Sequence, residues 1–149
     1  MEDRFKTFTV LVSNIHRSIH KIKMEEMAEF NLKCSHVSCL YYIYKSNSLT
    51  AKELCEICGE DKANISRTIK YLEDNGYIVS SDKKSKKYQT PLQLTDKGRE
   101  VGKSVANKVS KVLDFTDKVI SDEDRKIMYR SLNVISETLM SVCSKYEDK

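Results

Sequence analysis

Three polar side chains at helical spacing, Ser66, Arg67 and Lys70, are suited to hydrogen bonding with another molecule. At about 100° per residue they share one helix face with Ala63 and Asp74. Hydroxyl and cationic donors near a helix N-terminus are groups that can contact the edges of bases in a DNA groove. Taken alone, this pattern favours an ordinary amphipathic surface helix, so its interpretation depends on the elements around it.

A lysine-rich run follows at residues 82–88, with four lysines and one acidic residue. The lysines are Lys83, Lys84, Lys86 and Lys87. Such runs are usually solvated loops, but this one lies between two predicted strands. We therefore expect it to contact phosphates, which attract clustered cations.

Two short helices joined by a tight turn must position these side chains. Thr50 is the predicted N-cap of the first helix, and Glu53 completes a capping box. Gly59 is expected to end that helix in the left-handed conformation, and Asp61 to cap the next one. The second helix is predicted over about residues 62–75.

The apolar pattern of the second helix and of the segment after it predicts a small core and a β-hairpin. Ile65, Ile69 and Leu72 fall on one helix face, opposite the polar one. After the turn at Gly76, residues 77–79 are predicted as a strand, and residues 92–94 as the returning strand. Because Pro91 lacks an N–H group, the returning strand is expected at an edge. The order predicts a winged helix-turn-helix.

The segments outside this unit are helical in pattern and strongly apolar on one face. An N-terminal stripe is spaced 3, 4, 3, 4 and 3 residues apart; it comprises Phe5, Phe8, Val12, Ile15, Ile19 and Ile22, and the helix is expected to continue to about Phe30. Two more helices are predicted after Thr95 and Ser121. A winged unit of about 50 residues cannot cover three such stripes, so we expect a homodimer rather than a bundle folded on one chain.

Length and charge are consistent with this fold class: mainly α, with a small β-hairpin wing and long terminal dimerisation helices. We expect a single domain over residues 1–149, with a DNA-binding lobe at 33–94 and dimerisation regions at 1–30 and 95–149. The net charge is +4, and residues 62–89 alone hold seven Lys/Arg and three Asp/Glu, also +4. We find no targeting segment and no apolar run that could span a membrane, so a cytoplasmic location is expected.

At this point the chain resembles the MarR (multiple antibiotic resistance regulator) family over essentially all of its length. The resemblance is carried by LTAKEL at 49–54, KANISR at 62–67, LEDNGYI at 72–78 and LTDKG at 94–98. It implies a dimeric, sequence-specific DNA-binding transcriptional regulator, most often a repressor that a small-molecule effector releases from a palindromic operator. The wing departs from the family's Asp-x-Arg-Asp pattern with DKKS at 82–85, which favours backbone contact.

The resemblance also assigns residues. Asn64, Ser66, Arg67 and Lys70 match the recognition helix, and the four wing lysines match the phosphate-contacting loop. The predicted DNA-binding set further includes Thr50 and Lys62, at the starts of the two helices. No catalytic residue, cofactor or metal is expected, since no phosphate-binding loop or nucleophile motif occurs.

Two alternative functions stay open, and the first of them depends on the cysteines and histidines. Cys55 and Cys58 form a lone C-x-x-C, which we interpret as small core residues. A metal site could be formed by His16, His20, Cys34 and His36, and oxidant sensing could use Cys34, Cys39 or Cys143. One alternative function is thus a metal- or thiol-sensing DNA-binding regulator. The other is a winged-helix module that binds protein instead of DNA.

Overall fold

A computed structural model describes residues 3–81 and 88–147. In chain order it contains α1 (Arg4–Glu26), a short 3-10 helix (Ala28–Phe30), α2 (Cys34–Ser46), α3 (Ala51–Cys58), α4 (Lys62–Asp74), β1 (Ile78–Ser80), β2 (Leu92–Leu94), α5 (Asp96–Asp117) and α6 (Asp122–Glu147). The mainly helical fold with a two-stranded wing is the one predicted from the sequence.

Side-chain caps set the starts of the short helices. The Thr50 hydroxyl accepts a bond from the Glu53 N–H at 3.2 Å, and the Glu53 carboxylate accepts from the Thr50 N–H at 2.7 Å. The Asp61 carboxylate accepts from the Asn64 N–H at 2.7 Å, which fixes the first turn of α4. Gly59 closes α3 with φ of 64°. The predicted capping box, C-cap and N-cap are confirmed.

The strands of the hairpin pair antiparallel, with Ile78 opposite Leu94 and Ser80 opposite Leu92. Leu92 also exchanges two backbone hydrogen bonds with Leu49, at 2.9 and 3.3 Å. Within the two-stranded sheet β2 is an edge strand, as expected, although Leu92 has Leu49 as a second partner. Pro91 needs no N–H partner, because it precedes the strand and only its carbonyl is used, by the Ser81 N–H at 3.0 Å.

The first helix ends before the predicted boundary near Phe30. α1 stops at Glu26, and the chain tightens into the 3-10 turn before Asn31 adopts a left-handed conformation with φ of 52°. The Met27 side chain is buried at this break. The Lys108 ammonium donates to the Glu26 carbonyl oxygen at 2.5 Å, which holds the end of the helix against α5. The apolar stripe itself ends at Ile22, since Glu26 and Glu29 occupy the next two positions of its spacing, and the tightened turn follows there.

The core joins α2, α3, α4, the hairpin and the start of α5. Its fully buried side chains include Leu40, Ile43, Leu54, Ile65, Leu72, Ile78, Leu92 and Val105. α5 approaches this core through Gly98, where an added Cβ would lie 1.9 Å from the Tyr77 carbonyl oxygen. Only glycine permits that approach of helix to strand.

The described residues fall into two compact units, one ending at Lys108 and the other beginning at Val109. The first holds the winged helix-turn-helix. In the second, Arg125 forms ion pairs with Asp117 at 2.8 Å and Asp122 at 2.5 Å, and the Ser121 hydroxyl caps α6 by accepting from the Asp124 N–H at 3.1 Å. The expected single domain over 1–149, with its lobe at 33–94, stays a prediction.

Candidate nucleic-acid interface

The inner face of α4 anchors it to the lobe. Ile65, Thr68, Ile69 and Leu72 are all buried, and Ile65 and Leu72 have no exposed surface. The apolar face predicted from the sequence is confirmed. Thr68 was not identified, because its hydroxyl counts as polar in a periodicity argument.

The outer face of α4 carries side chains that were predicted to contact DNA bases. Ala63, Ser66, Arg67 and Lys70 are all exposed. The Lys70 ammonium pairs with the Asp74 carboxylate at 3.0 Å, one turn along the same face. Because the pair is exposed, it costs little to break, and Lys70 can exchange Asp74 for another anion. Arg67 projects from the middle of this face.

Asn64 and Thr50 are less free than the outer-face residues. The Asn64 amide donates to the Glu60 carboxylate at 2.6 Å and is half-buried. The Thr50 hydroxyl donates to the Glu53 carboxylate at 2.9 Å, within the capping box. The bond from the Thr50 N–H first, and this hydroxyl bond second, lower the pKa of Glu53, so the cap carries a negative charge. A DNA contact by either residue would compete with these bonds.

Lys62 lies at the first position of α4 and faces the hairpin. Its ammonium sits 4.5 Å from the centre of the Tyr88 ring. Between α4 and the hairpin is a groove of about 260 Å³ lined by Lys62, Ser66, Ser80 and Tyr88 among others. The wing lysines Lys83, Lys84, Lys86 and Lys87 lie outside the described residues, so their phosphate contacts stay a prediction.

The histidine and cysteine residues of the metal hypothesis do not meet as one group. His16, His20 and Cys34 line a cavity of about 160 Å³ beside Lys23. His36 is instead buried, with its ring stacked on Tyr71 at 4.1 Å between centres. Across residues 3–81 and 88–147, no three side chains of metal-ligating type are placed to hold an ion.

Three of the thiols, those of Cys34, Cys39 and Cys58, have shifted pKa values. Burial raises the pKa of Cys34, and the hydrogen bond to Cys58 raises that of Cys39. The same bond lowers the pKa of Cys58. Cys55 and Cys58 are half-buried and Cys143 is exposed. The Cys55 sulfur accepts a bond from the Tyr88 hydroxyl at 3.7 Å, a link the sequence did not indicate.

Another contact that the sequence did not indicate involves His36. Its Nδ1 accepts a hydrogen bond from the Lys33 N–H at 3.1 Å, at the start of α2. Burial first, and the charge of Lys33 second, lower the pKa of His36. The neutral ring therefore serves as a cap and a stacking partner. Histidine at the third helical position was the available signal, since Glu or Gln usually fills that place in a capping box.

Comparisons with known proteins agree with this geometry. The family model described as "Winged helix DNA-binding domain" matches residues 36–113. The HTH-type transcriptional regulator BilQ of Clostridioides difficile is 26% identical over 141 residues, covering 93% of this chain and 94% of that protein.

None of the helices described here is long and apolar enough to cross a bilayer.

Two solved structures share the fold. Staphylococcus aureus MarR in complex with salicylate and kanamycin has a TM-score of 0.78 at 24% identity, over 91% of this chain and 92% of that one. A MarR family transcriptional regulator from Listeria monocytogenes, complexed with 26mer DNA, has a TM-score of 0.78 at 24% identity, over 93% and 90%.

Proposed function

The chain belongs to the winged helix DNA-binding domain family and has the fold of the MarR regulators, and from this premise we propose that it is a dimeric, sequence-specific repressor of transcription. Its ligand is double-stranded DNA with a palindromic operator. Its relative BilQ in C. difficile is an HTH-type transcriptional regulator, which supports a regulatory rather than an enzymatic role for this chain. We assign the chain to the cytoplasm, where operator DNA is found.

The observation that carries this proposal is the split character of α4. One face is sealed into the lobe by Ile65, Ile69 and Leu72, while Ser66, Arg67 and Lys70 face outward. A helix held this way presents base-reading groups on a rigid support, as the second helix of a helix-turn-helix does in the major groove. The hairpin follows directly, so its lysines are expected beside the helix at the phosphates.

A second copy of the chain is the proposed partner. The apolar residues along α1 are exposed, from 37% for Ile22 to 78% for Phe5. On α6 the stripe of Ile127, Ile135, Leu139, Val142 and Tyr146 is exposed by 36–69%. Exposed stripes of this extent indicate association, and two-fold pairing is the commonest form. It also matches the two-fold symmetry of a palindromic operator.

The effector is proposed to be a small molecule that releases the operator. The S. aureus relative was solved with salicylate bound, which makes salicylate the first probe to use. Salicylate titrated into the protein–DNA complex is expected to lower the fraction of bound operator while the duplex alone is unaffected. If no member of a panel of small aromatic acids releases the operator, the proposal is limited to constitutive repression.

Selection of bound duplexes from random DNA tests the proposed function most directly. We expect an enriched site with two inverted half-sites spaced by about one helical turn, roughly 10 base pairs. The Arg67→Ala chain should enrich a weaker consensus, because the exposed guanidinium is the strongest candidate base reader. If no duplex is enriched and binding to random DNA does not fall with salt, the protein-interaction alternative replaces this proposal.

A further inference from the structure

Tyr88 occupies the point where the chain returns from the wing towards β2. Two contacts tie it to the helix-turn-helix. Its ring lies under the Lys62 ammonium at 4.5 Å, and its hydroxyl donates to the Cys55 sulfur at 3.7 Å. One side chain therefore joins the returning arm of the hairpin to both α3 and α4.

Lys62 is an unusual residue for its position. It is the first residue of α4, where the helix dipole and the free N–H groups favour negative charge, so a cation there opposes the dipole. Helix stability therefore does not explain a lysine at this place. Its charge adds to the positive end of α4, which suits a polyanion such as the DNA backbone.

The groove between α4 and the hairpin shows where that charge is held. Lys62, Ser66, Ser80 and Tyr88 line it, and Ser66 belongs to the same exposed face as Arg67. Lys62 thus extends from the helix proposed to read bases towards Tyr88 on the returning arm of the hairpin. A lysine otherwise samples many rotamers, and ordering it on binding costs affinity.

We propose that Tyr88 is a positioning residue for DNA binding, whose ring holds the Lys62 ammonium in place for a phosphate and whose hydroxyl fastens the returning arm of the hairpin to Cys55. This role rests on the proposed function. The bond to Cys55 raises the pKa of Tyr88, so the phenol stays neutral and remains a donor.

Two substitutions separate the ring from the hydroxyl. Tyr88→Leu removes both contacts, whereas Tyr88→Phe keeps the ring under Lys62. A cation–π contact near the surface corresponds to about a two- to fivefold effect, so Tyr88→Leu should weaken binding by roughly that factor per half-site. The loss should appear on the selected operator and on a random duplex alike, because a phosphate contact carries no sequence information. Tyr88→Phe should retain most of the affinity.

A double-mutant cycle with Lys62→Gln tests whether Tyr88 acts through Lys62. Lys62→Gln should flatten the slope of log affinity against log salt by up to about 1.8 per dimer, one phosphate contact in each half. In that background, replacing Tyr88 by Leu should cause little further loss. Tyr129→Leu serves as the matched control, since it removes a tyrosine that is 53% exposed on α6. Melting temperatures are measured for every variant.

A measurement without DNA accompanies the cycle. Mass spectrometry after brief treatment with an amine-acylating reagent should show faster modification of Lys62 in Tyr88→Leu than in the wild type or Tyr88→Phe. The role of Tyr88 would be overturned if Tyr88→Leu lowered DNA affinity equally in the wild-type and Lys62→Gln backgrounds, or if it left the reactivity of Lys62 unchanged. Either result would leave the proposed function in place. A wild-type chain that binds neither duplex would overturn both.

Discussion

At the scale of single residues, we expect Arg67 to be the main residue by which the lobe distinguishes one DNA sequence from another. Its guanidinium is exposed and is the only arginine head group on the outer face of α4. Arg67→Ala is expected to cost about 1–3 kcal/mol per half-site on the operator, if the planar fork contacts a guanine. Fluorescence anisotropy on operator and random duplexes measures the loss on each.

The matched control for Arg67 is Arg130→Ala, which removes the same side chain from an exposed position of α6. Neither change should lower the melting temperature by more than about a degree or two, because no buried atom is lost. Equal weakening of operator and random DNA by Arg67→Ala would show that Arg67 contacts only the backbone. Base reading would then rest on Ser66, Asn64 or the shape of the groove.

His36 makes the stability of the lobe depend on pH. Since burial lowers its pKa in the folded chain, the unfolded chain takes up a proton first, near the ordinary value of about 6.5. The contribution of neutral His36 is complete above that pH and is lost progressively as pH falls towards the lower folded value. We expect the free energy of unfolding to drop between pH 7 and pH 5.

Urea unfolding at several pH values tests this assignment with His36→Gln. Glutamine can still accept the bond from the Lys33 N–H but does not titrate in this range. Its stability should therefore fall less between pH 7 and pH 5 than that of the wild type. His16→Gln, on the exposed face of α1, is the matched control. If the two variants lose the same stability over this range, His36 is not the titrating group.

At the scale of elements, α5 closely approaches Tyr77, the residue before β1. Gly98→Ala would place a Cβ against the Tyr77 carbonyl, which already accepts the Thr95 N–H at 3.0 Å. Alanine normally stabilises a helix interior relative to glycine by about 1 kcal/mol. Here we expect a loss of about 1–3 kcal/mol from overpacking, measured by urea unfolding. Ser110→Ala on an exposed position of α5 should change stability by no more than about 0.5 kcal/mol.

Helix ends and faces were predictable because each depends on a few neighbouring residues. Residue type alone predicted two N-caps, Thr50 and Asp61, and two glycines with positive φ, Gly59 and Gly76. The structure confirms all four. Contacts between elements were not predictable in the same way. The link from Tyr88 to Cys55 spans 33 residues, and no local pattern encodes such a distance.

Boundaries that depend on tertiary packing were also missed. The tightened turn after Glu26 follows from burial of Met27, which the apolar stripe of α1 does not reveal. Likewise the pairing of Leu92 with Leu49 gives this one residue of the edge strand a second partner, which no local pattern indicated. Of the predicted site, the outer face of α4 needed only helical geometry, whereas Lys62 needed its long-range partner to be understood.

At the scale of the whole molecule, the exposed stripes predict assembly. Sedimentation at micromolar concentration should give about twice the chain mass of 17.2 kDa. A charge in the α6 stripe, Leu139→Glu, is expected to shift the distribution towards 17.2 kDa or to aggregation, because it buries an unpaired carboxylate. Ser141→Glu adds the same charge about 200° around the helix and should leave the dimer intact. A wild-type chain that sediments as a stable monomer would contradict the assembly.

The two hydrogen bonds between Leu49 and Leu92 join the residue before the cap of α3 to the returning strand of the wing. Each amide has the other residue's carbonyl as its acceptor, so neither proton reaches solvent until the helix-turn-helix and the hairpin separate. In deuterium-exchange terms the two amides report a single opening event that links both halves of the lobe. The rate of amide exchange at Leu49 and Leu92 therefore measures how often the lobe opens. A ligand that binds both halves at once should slow this exchange.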